Sequence, residues 1–371
     1  MRVLLTGGGT GGHINPAIAI AQYIRANDRD AKILYAGTPN GMEARLVRQA
    51  GFEFVPIKVK GFSRSFAPRD IAHNISAAAE VVTSRSRARS ILREFRPDIV
   101  IGTGGYVSGP VVLQATRLGI KTAIHEQNAF PGVTNRLLSK KVDQVFLAVE
   151  EAREHLAPGI RYQVVGNPVR ESVIYKSRAE ARKELGLDDR MCILSFGGSL
   201  GADTINRIGA DIIEWNCQKG YVNHIHGYGR LGKEKFPQLL KERGIDLEGS
   251  PNIRALEFID NMDTCMAAAD LIICRAGAIT ISEIEATGKA SILVPSPNVT
   301  ANHQYHNAMV LKQRNAALLL EEKEYSKERI IAMIEELYQN PEKLRELSKN
   351  ASKLAILDTA KRIYDTIVPL V

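Results

Sequence analysis

No apolar run in this chain approaches the ~18 residues that a membrane-spanning helix needs; runs such as Leu271 to Cys274 and Ala316 to Leu320 are far shorter. Cysteine is scarce. Cys192, Cys217, Cys265 and Cys274 form no Cys-x-x-Cys pair and have no His-rich partner segment. A zinc framework or disulfide scaffold is therefore not expected, and a reducing cytoplasm fits. No charged leader and apolar core precede the first strand, so no secretory signal is expected, and no low-complexity segment interrupts the chain.

What is present suits a soluble enzyme: 44% hydrophobic and 24% charged residues. A length of 371 residues exceeds the ~250–300 at which one core usually divides, so two domains are expected. The net charge of +8 is uneven. Residues 1–163 hold 22 Lys and Arg against 13 Asp and Glu, and the remainder is close to neutral. The densest basic stretch carries Arg85, Arg87, Arg89, Arg93 and Arg96. It reads either as a solvated helix face or as a patch for an anionic partner. The neighbouring Gly61-Phe-Ser-Arg-Ser-Phe-Ala-Pro68 sets aromatics among arginines, which favours a lipid surface over nucleic acid.

Strand-like runs rich in Val, Ile and Leu alternate with helical periods. Strands are expected near 2–6, 32–36, 53–57, 98–101, 121–125, 143–147 and 162–165, then near 191–196, 221–226, 253–257, 270–274, 290–294 and 316–320. In the first half helices are expected near 14–26, 41–50, 71–95, 107–118 and 131–140. Strands without polar alternation are buried on both faces, the mark of parallel sheets covered by helices. Two doubly wound α/β domains follow, joined at Val165-Gly-Asn-Pro-Val169, with a helical C-terminal stretch broken at Asn340-Pro341.

Two strands empty through glycines into helices: Arg2 to Thr6 into Gly7-Gly-Gly-Thr-Gly-Gly-His13, and Met191 to Phe196 into Gly197-Gly-Ser-Leu-Gly-Ala202. Such turns gather backbone N–H groups at a positive helix end and suit phosphate. Gly7, Gly9 and Gly12 fit a dinucleotide fingerprint, but the second strand ends Leu34-Tyr-Ala-Gly-Thr-Pro39, without the acid that would hold a ribose. Asp28-Arg29-Asp30 matches a metal-binding string but lies at the wrong end of the sheet. Without metal or cofactor, a diphosphate needs hydroxyls and Arg, which Ser199 and Arg170 supply. His13 at a helix start is either a general base or a structural histidine. Glu126, in His125-Glu-Gln-Asn128, could orient His13, be the base itself, or pair with a cation. Glu283 reads as a ribose acceptor or as a helix N-terminal acid.

Seven segments in order resemble the MurG family of glycosyltransferases over nearly the whole chain. They are Gly8-Gly-Thr-Gly-Gly-His13, Gly102-Thr-Gly-Gly-Tyr-Val-Ser-Gly-Pro110, His125-Glu-Gln-Asn128, Gly166-Asn-Pro-Val-Arg170, Gly197-Gly-Ser-Leu-Gly-Ala202, Arg275-Ala-Gly-Ala, and Asn302-His-Gln304. The resemblance implies a GT-B fold, two Rossmann-like doubly wound parallel-sheet domains with an interdomain cleft. It implies inverting transfer of GlcNAc from UDP-GlcNAc to the C4 hydroxyl of MurNAc in lipid I, without metal or cofactor, on the cytoplasmic face of the cell membrane.

Residues 1–164, with 355–371, would form the acceptor domain and 165–354 the donor domain. By matching motifs, Ser199 would contact the diphosphate, Arg170 the nucleotide, Ile259 the uracil and Glu283 the ribose. Ala278, Ile279 and Thr280 would line the same pocket and Gln304 would read the sugar. Thr10, Gly11, Gly12 and Asn128 would reach the donor sugar from the first domain. Ala301 stands where many members carry an acid, and His303 where some carry Gln. Two alternatives remain: another GT-B lipid glycosyltransferase, such as a diacylglycerol glucosyltransferase, or a non-catalytic nucleotide-sugar-binding subunit.

Overall fold

The computed structural model describes residues 1–59 and 83–371. The chain divides into two compact units: Met1–Pro168 with Ile356–Val371, and Val169–Ala355. The aromatic segment Gly61 to Pro68, and the first part of the helix expected over 71–95, lie outside the described residues.

The first unit has strands β1 (Arg2–Gly7), β2 (Lys32–Gly37), β3 (Glu53–Pro56), β4 (Ile99–Gly104), β5 (Lys121–Glu126), β6 (Gln144–Leu147) and β7 (Tyr162–Val164). They form one parallel sheet in the order 3-2-1-4-5-6-7. Its helices are α1 (Gly11–Asn27), α2 (Met42–Gln49), α3 (described over 83–95), α4 (Ser108–Arg117) and α5 (Val133–Leu138). Val3, Leu5, Ile99 and Ile101 belong to one core cluster and Leu4 and Val100 to another, all six fully buried. Alternate residues of a strand point to opposite faces, so two apolar cores demand unbroken apolar strands.

The second unit has strands β8 (Met191–Phe196), β9 (Val222–Gly227), β10 (Ile253–Leu256), β11 (Leu271–Cys274), β12 (Ala290–Leu293) and β13 (Leu318–Leu319), parallel in the order 10-9-8-11-12-13. Around it lie α6 (Glu171–Tyr175), α7 (Arg178–Glu184), α8 (Asp203–Lys219), α9 (Lys235–Glu242), α10 (Met262–Ala268), α11 (Ala278–Thr287), α12 (His303–Gln313), α13 (Lys327–Gln339) and α14 (Pro341–Ser352). At the Asn340-Pro341 break, the Asn340 side chain accepts from the Lys343 amide and so caps α14.

Beyond Ala355 the chain returns to the first unit. There α15 (Thr359–Ile367) buries Ile363 and Ile367 in the cluster that holds Ile20 and Ile24 of α1, and Tyr364 meets Tyr23 edge to face. Gly166 has φ +80, and a Cβ there would lie 2.7 Å from Ile356 and 2.9 Å from Thr359. That close approach is what glycine permits.

The strand order reverses between β1 and β4 in the first sheet and between β8 and β11 in the second. Ligands in open parallel sheets bind beyond the C-terminal strand ends at such points. No helix among the described residues is long and apolar enough to cross a membrane.

Candidate functional site

In the first unit the switch point brings together the ends of β1, β4 and β5. The glycine loop after β1 is pinned from several sides. The Tyr35 hydroxyl donates to the Gly7 carbonyl at 2.9 Å, and the Gly8 amide donates to the Gly104 carbonyl at 3.2 Å. A Cβ on Gly105 would come within 2.3 Å of the Gly8 carbonyl oxygen, and φ is +81 there. Beneath the loop lies the fully buried Glu43, which accepts from the Thr38 amide at 3.0 Å and the Gly9 amide at 3.4 Å. One amide of this loop is thus spent on a carboxylate.

Thr10 is the exposed residue before α1, and Gly11, Gly12 and His13 form the helix's first turn. The Thr10 carbonyl accepts from the His13 amide at 3.1 Å and the Ile14 amide at 3.2 Å. The His13 ring lies over Gly104, where a Cβ would meet Nδ1 at 2.7 Å. Its Nδ1 bonds Gln127 Oε1 at 2.9 Å.

Glu126 does not orient His13. It is buried at the end of β5, with Oε1 accepting from the Asn128 amide and side chain at 3.0 and 3.1 Å. Its Oε2 accepts from the Gly132 amide at 3.0 Å and from Asn135 Nδ2 at 2.8 Å. All four bonds hold the 126–135 turn, so this carboxylate shapes the loop and places Asn128. Strand alternation sends Glu126 to one face and sends His125 and Gln127 together to the other. Gln127 is the residue that sequence reasoning missed, and that period-of-two pattern was the signal for it.

In the second unit, β8 runs into the 197–202 loop and β11 into α11. Gly201 has φ +83, and a Cβ there would lie 2.2 Å from the Tyr228 carbonyl oxygen. The loop closes on itself through Gly201 N–H to Gly198 O at 2.9 Å and is tied to the next loop through Leu231 N–H to Leu200 O at 2.9 Å. Ser199 sits exposed at its tip. No side-chain carboxylate bonds the amides of this loop among the described residues, in contrast to the first one.

Across the switch point, Ala278, Ile279 and Thr280 make the half-buried first turn of α11, and Glu283 follows, 8% exposed. Arg170 reaches Glu283 Oε1 through Nη2 at 3.0 Å and Nε at 3.3 Å. Burial pushes the Glu283 carboxyl above its ordinary range, and the Arg170 guanidinium opposes the push. Oε2 makes no hydrogen bond among the described residues. Arg275 pairs with Glu322 and donates to the Val294 carbonyl at 3.1 Å, fixing the loop that follows β12.

Ile259 is buried, its Cδ1 3.0 Å from where a Cβ on Gly227 would stand. The adjacent Phe258 is 57% exposed. Gln304 Oε1 accepts from the Ser296 amide at 2.9 Å. It follows Ala301 and Asn302, which have φ +53 and +50. The left-handed turn costs an alanine ~1–2 kcal/mol and an asparagine less. No group of three or more His, Cys, Asp or Glu is placed to hold a metal among the described residues.

The glycosyltransferase family 28 N-terminal domain matches residues 3–147 and the family's C-terminal domain matches 192–363, so the two units are those of a GT-B glycosyltransferase. A protein of Acetivibrio thermocellus named UDP-N-acetylglucosamine–N-acetylmuramyl-(pentapeptide) pyrophosphoryl-undecaprenol N-acetylglucosamine transferase is 43% identical, over 99% of this chain and 97% of its own. A Bacillus pumilus protein of the same name is 38% identical over 99% and 98%. The crystal structure of Acinetobacter baumannii MurG superimposes with a TM-score of 0.79 at 29% identity, covering 99% of both chains. The chain belongs to the MurG family of N-acetylglucosaminyltransferases. The Neisseria meningitidis UDP-GlcNAc 2-epimerase bound to UDP-GlcNAc, 15% identical with a TM-score of 0.69, shares the fold.

Proposed function

We propose that this chain transfers GlcNAc from UDP-GlcNAc to the C4 hydroxyl of MurNAc in lipid I, with inversion and without metal, producing lipid II and UDP for peptidoglycan. The observation that carries the assignment of substrates to units is the contrast between the two glycine loops. The first has Glu43 on its amide, whereas the second bonds no carboxylate and leaves N–H groups other than that of Gly201 for a diphosphate.

The second unit therefore takes the donor. Ser199 and the loop amides hold the diphosphate, and Arg170 adds positive charge beside the nucleotide. The free oxygen of Glu283 accepts from ribose hydroxyls, the backbone at Ile259 reads uracil, and Gln304 reads the sugar. Ala278, Ile279 and Thr280 form the wall. The first unit takes the acceptor. His13 Nε2 receives the proton of the C4 hydroxyl as its oxygen bonds to the GlcNAc anomeric carbon. The bond from that carbon to the diphosphate breaks, and its electron pair leaves with UDP. Thr10, Gly11, Gly12 and Asn128 contact the transferring sugar.

Arg85, Arg87 and Arg89 lie exposed on α3 and would bring the first unit to an anionic membrane carrying the acceptor lipid. Calorimetry in EDTA with UDP-GlcNAc, UDP-glucose and NADH tests the donor. Saturable binding of UDP-GlcNAc alone is expected. Equal binding of UDP-glucose points to a lipid glucosyltransferase, and no saturable binding of UDP-GlcNAc contradicts the donor assignment.

A further inference from the structure

Three polar side chains of the first unit form a chain of hydrogen bonds whose direction can be worked out atom by atom. It starts at the Gly166 carbonyl, which can only accept. His125 Nε2 lies 2.9 Å from that oxygen, so Nε2 carries the proton and Nδ1 is left with a lone pair. The Gln127 amide nitrogen faces that Nδ1 at 2.9 Å, the Thr103 carbonyl at 3.0 Å and the His125 carbonyl at 3.1 Å. Three acceptors around one end of the amide identify that end as NH2, which fixes the flip. The other end, Oε1, then points at His13 Nδ1 at 2.9 Å and must accept from it. The donations along the chain run from His13 through Gln127 and His125 to Gly166, with the Thr103 and His125 carbonyls as side acceptors of the Gln127 amide.

We infer that Gln127 is a positioning residue that holds His13 in its Nδ1–H tautomer and leaves the Nε2 lone pair free for the acceptor's proton. The inference rests on the reading of His13 as proton acceptor. A neutral imidazole with the proton on Nε2 presents a donor where the reaction needs an acceptor, and a group behind the ring that accepts from Nδ1–H prevents this. Gln127 does so as a neutral acceptor at 2.9 Å from Nδ1. The supports behind it are rigid. Gln127 and His125 are 3% and 0% exposed, and burial holds the His125 imidazole in its neutral form. Gly166 is pinned by Ile356 and Thr359, so the returning C-terminal segment anchors the far end of the chain.

The test uses the full-length protein with 15N-labelled histidine and long-range proton–nitrogen spectra near pH 8, the His13 signals assigned by their loss in His13→Gln. In the unaltered protein, a protonated Nδ1 and an unprotonated Nε2 are expected for His13; the opposite pattern overturns the inference without any variant. Gln127→Met keeps the side-chain length and removes the acceptor. It should mix the two tautomers and lower kcat on the order of a hundredfold with KM for UDP-GlcNAc unchanged. An unmoved tautomer in a folded Gln127→Met protein also overturns it. Full turnover by His13→Gln removes the proton-acceptor reading while the spectra still report the tautomer, so the two failures are distinct.

Discussion

Replacing Glu283 by Gln isolates the donor-binding half of the account. The side chain keeps its shape but loses its charge. Arg170 then loses an ionic partner, at little cost to folding, because its own side chain is 60% exposed and stays hydrated. Relief of a buried carboxylate offsets part of that cost, so the melting temperature should stay within a few degrees. Binding is where the change is read. Hydrogen bonds to a charged acceptor contribute ~1.5–3 kcal/mol against ~1 for neutral ones. Two ribose hydroxyls on the free oxygen should therefore lose about 1–4 kcal/mol together, a rise of roughly 5- to 900-fold in Kd for UDP-GlcNAc.

The assay is calorimetry with UDP-GlcNAc and its 2′-deoxyribose analogue, on both proteins. The analogue should bind the unaltered protein more weakly than UDP-GlcNAc does, and this penalty should shrink in Glu283→Gln. Losses that simply add across the two changes would refute a ribose contact. The pH dependence gives a second reading. Burial raises the Glu283 carboxyl, so donor affinity should fall as pH drops through that raised value, and this limb should vanish in the variant.

Three further outcomes follow from other parts of the molecule. Gly201→Ala should lower the melting temperature of the second unit clearly, since its Cβ would sit 2.2 Å from the Tyr228 carbonyl at φ +83, whereas Gly220→Ala, at φ +65 with open space, should cost only ~1 kcal/mol. Similar melting curves for the two would contradict this. His224 and His226, fully buried on either side of Ser195, are held neutral by burial, His226 down to about 3. Folded values below the unfolded ~6.5 mean that the unfolded chain binds the extra protons, so stability is full above that pH and falls as pH drops through it toward 3. The slope is about 1.4 kcal/mol per pH unit for each histidine, and denaturant melts of His226→Asn from pH 7 to 4 should show a shallower fall. Charge reversal at Arg85, Arg87 and Arg89 should weaken binding to anionic vesicles on the order of a hundredfold, at ~1 kcal/mol for each charge. Unchanged sedimentation with vesicles would remove this patch from membrane docking.

The two parallel sheets were legible because strands buried on both faces read as plain apolar runs. Misplaced ends have particular causes. The fourth strand was expected to stop at 101 but pairs on to Gly104, since Gly102 acts as a space-saver; a Cβ there would lie 2.8 Å from Val112. The first helix begins at Gly11 rather than 14, because glycines that read as loop enter the helix once the Thr10 carbonyl accepts its first bonds. The last strand shrinks to Leu318–Leu319, an edge paired only to β12. The helix expected over 131–140 is confined to Val133–Leu138, with its entry fixed by Glu126 on the Gly132 amide.

At the site, the glycine loops and His13 could be read from spacing. The pairing of Arg170 with Glu283 spans 113 residues and leaves no local trace. Glu43 beneath the first loop was equally hidden, since nothing in the order of residues places a helix-2 carboxylate under a β1 turn. Glu126 and Gln127 are adjacent in sequence, yet the strand's alternation separates their side chains.

The most direct measurement is turnover by the purified single chain in EDTA, with labelled UDP-GlcNAc and lipid I in anionic detergent–lipid micelles, following lipid-linked product and UDP together. Equimolar UDP and a disaccharide lipid with an inverted, β-configured GlcNAc linkage are the expected result. Release of free GlcNAc without lipid product, or no turnover in the presence of saturable donor binding, would contradict the account.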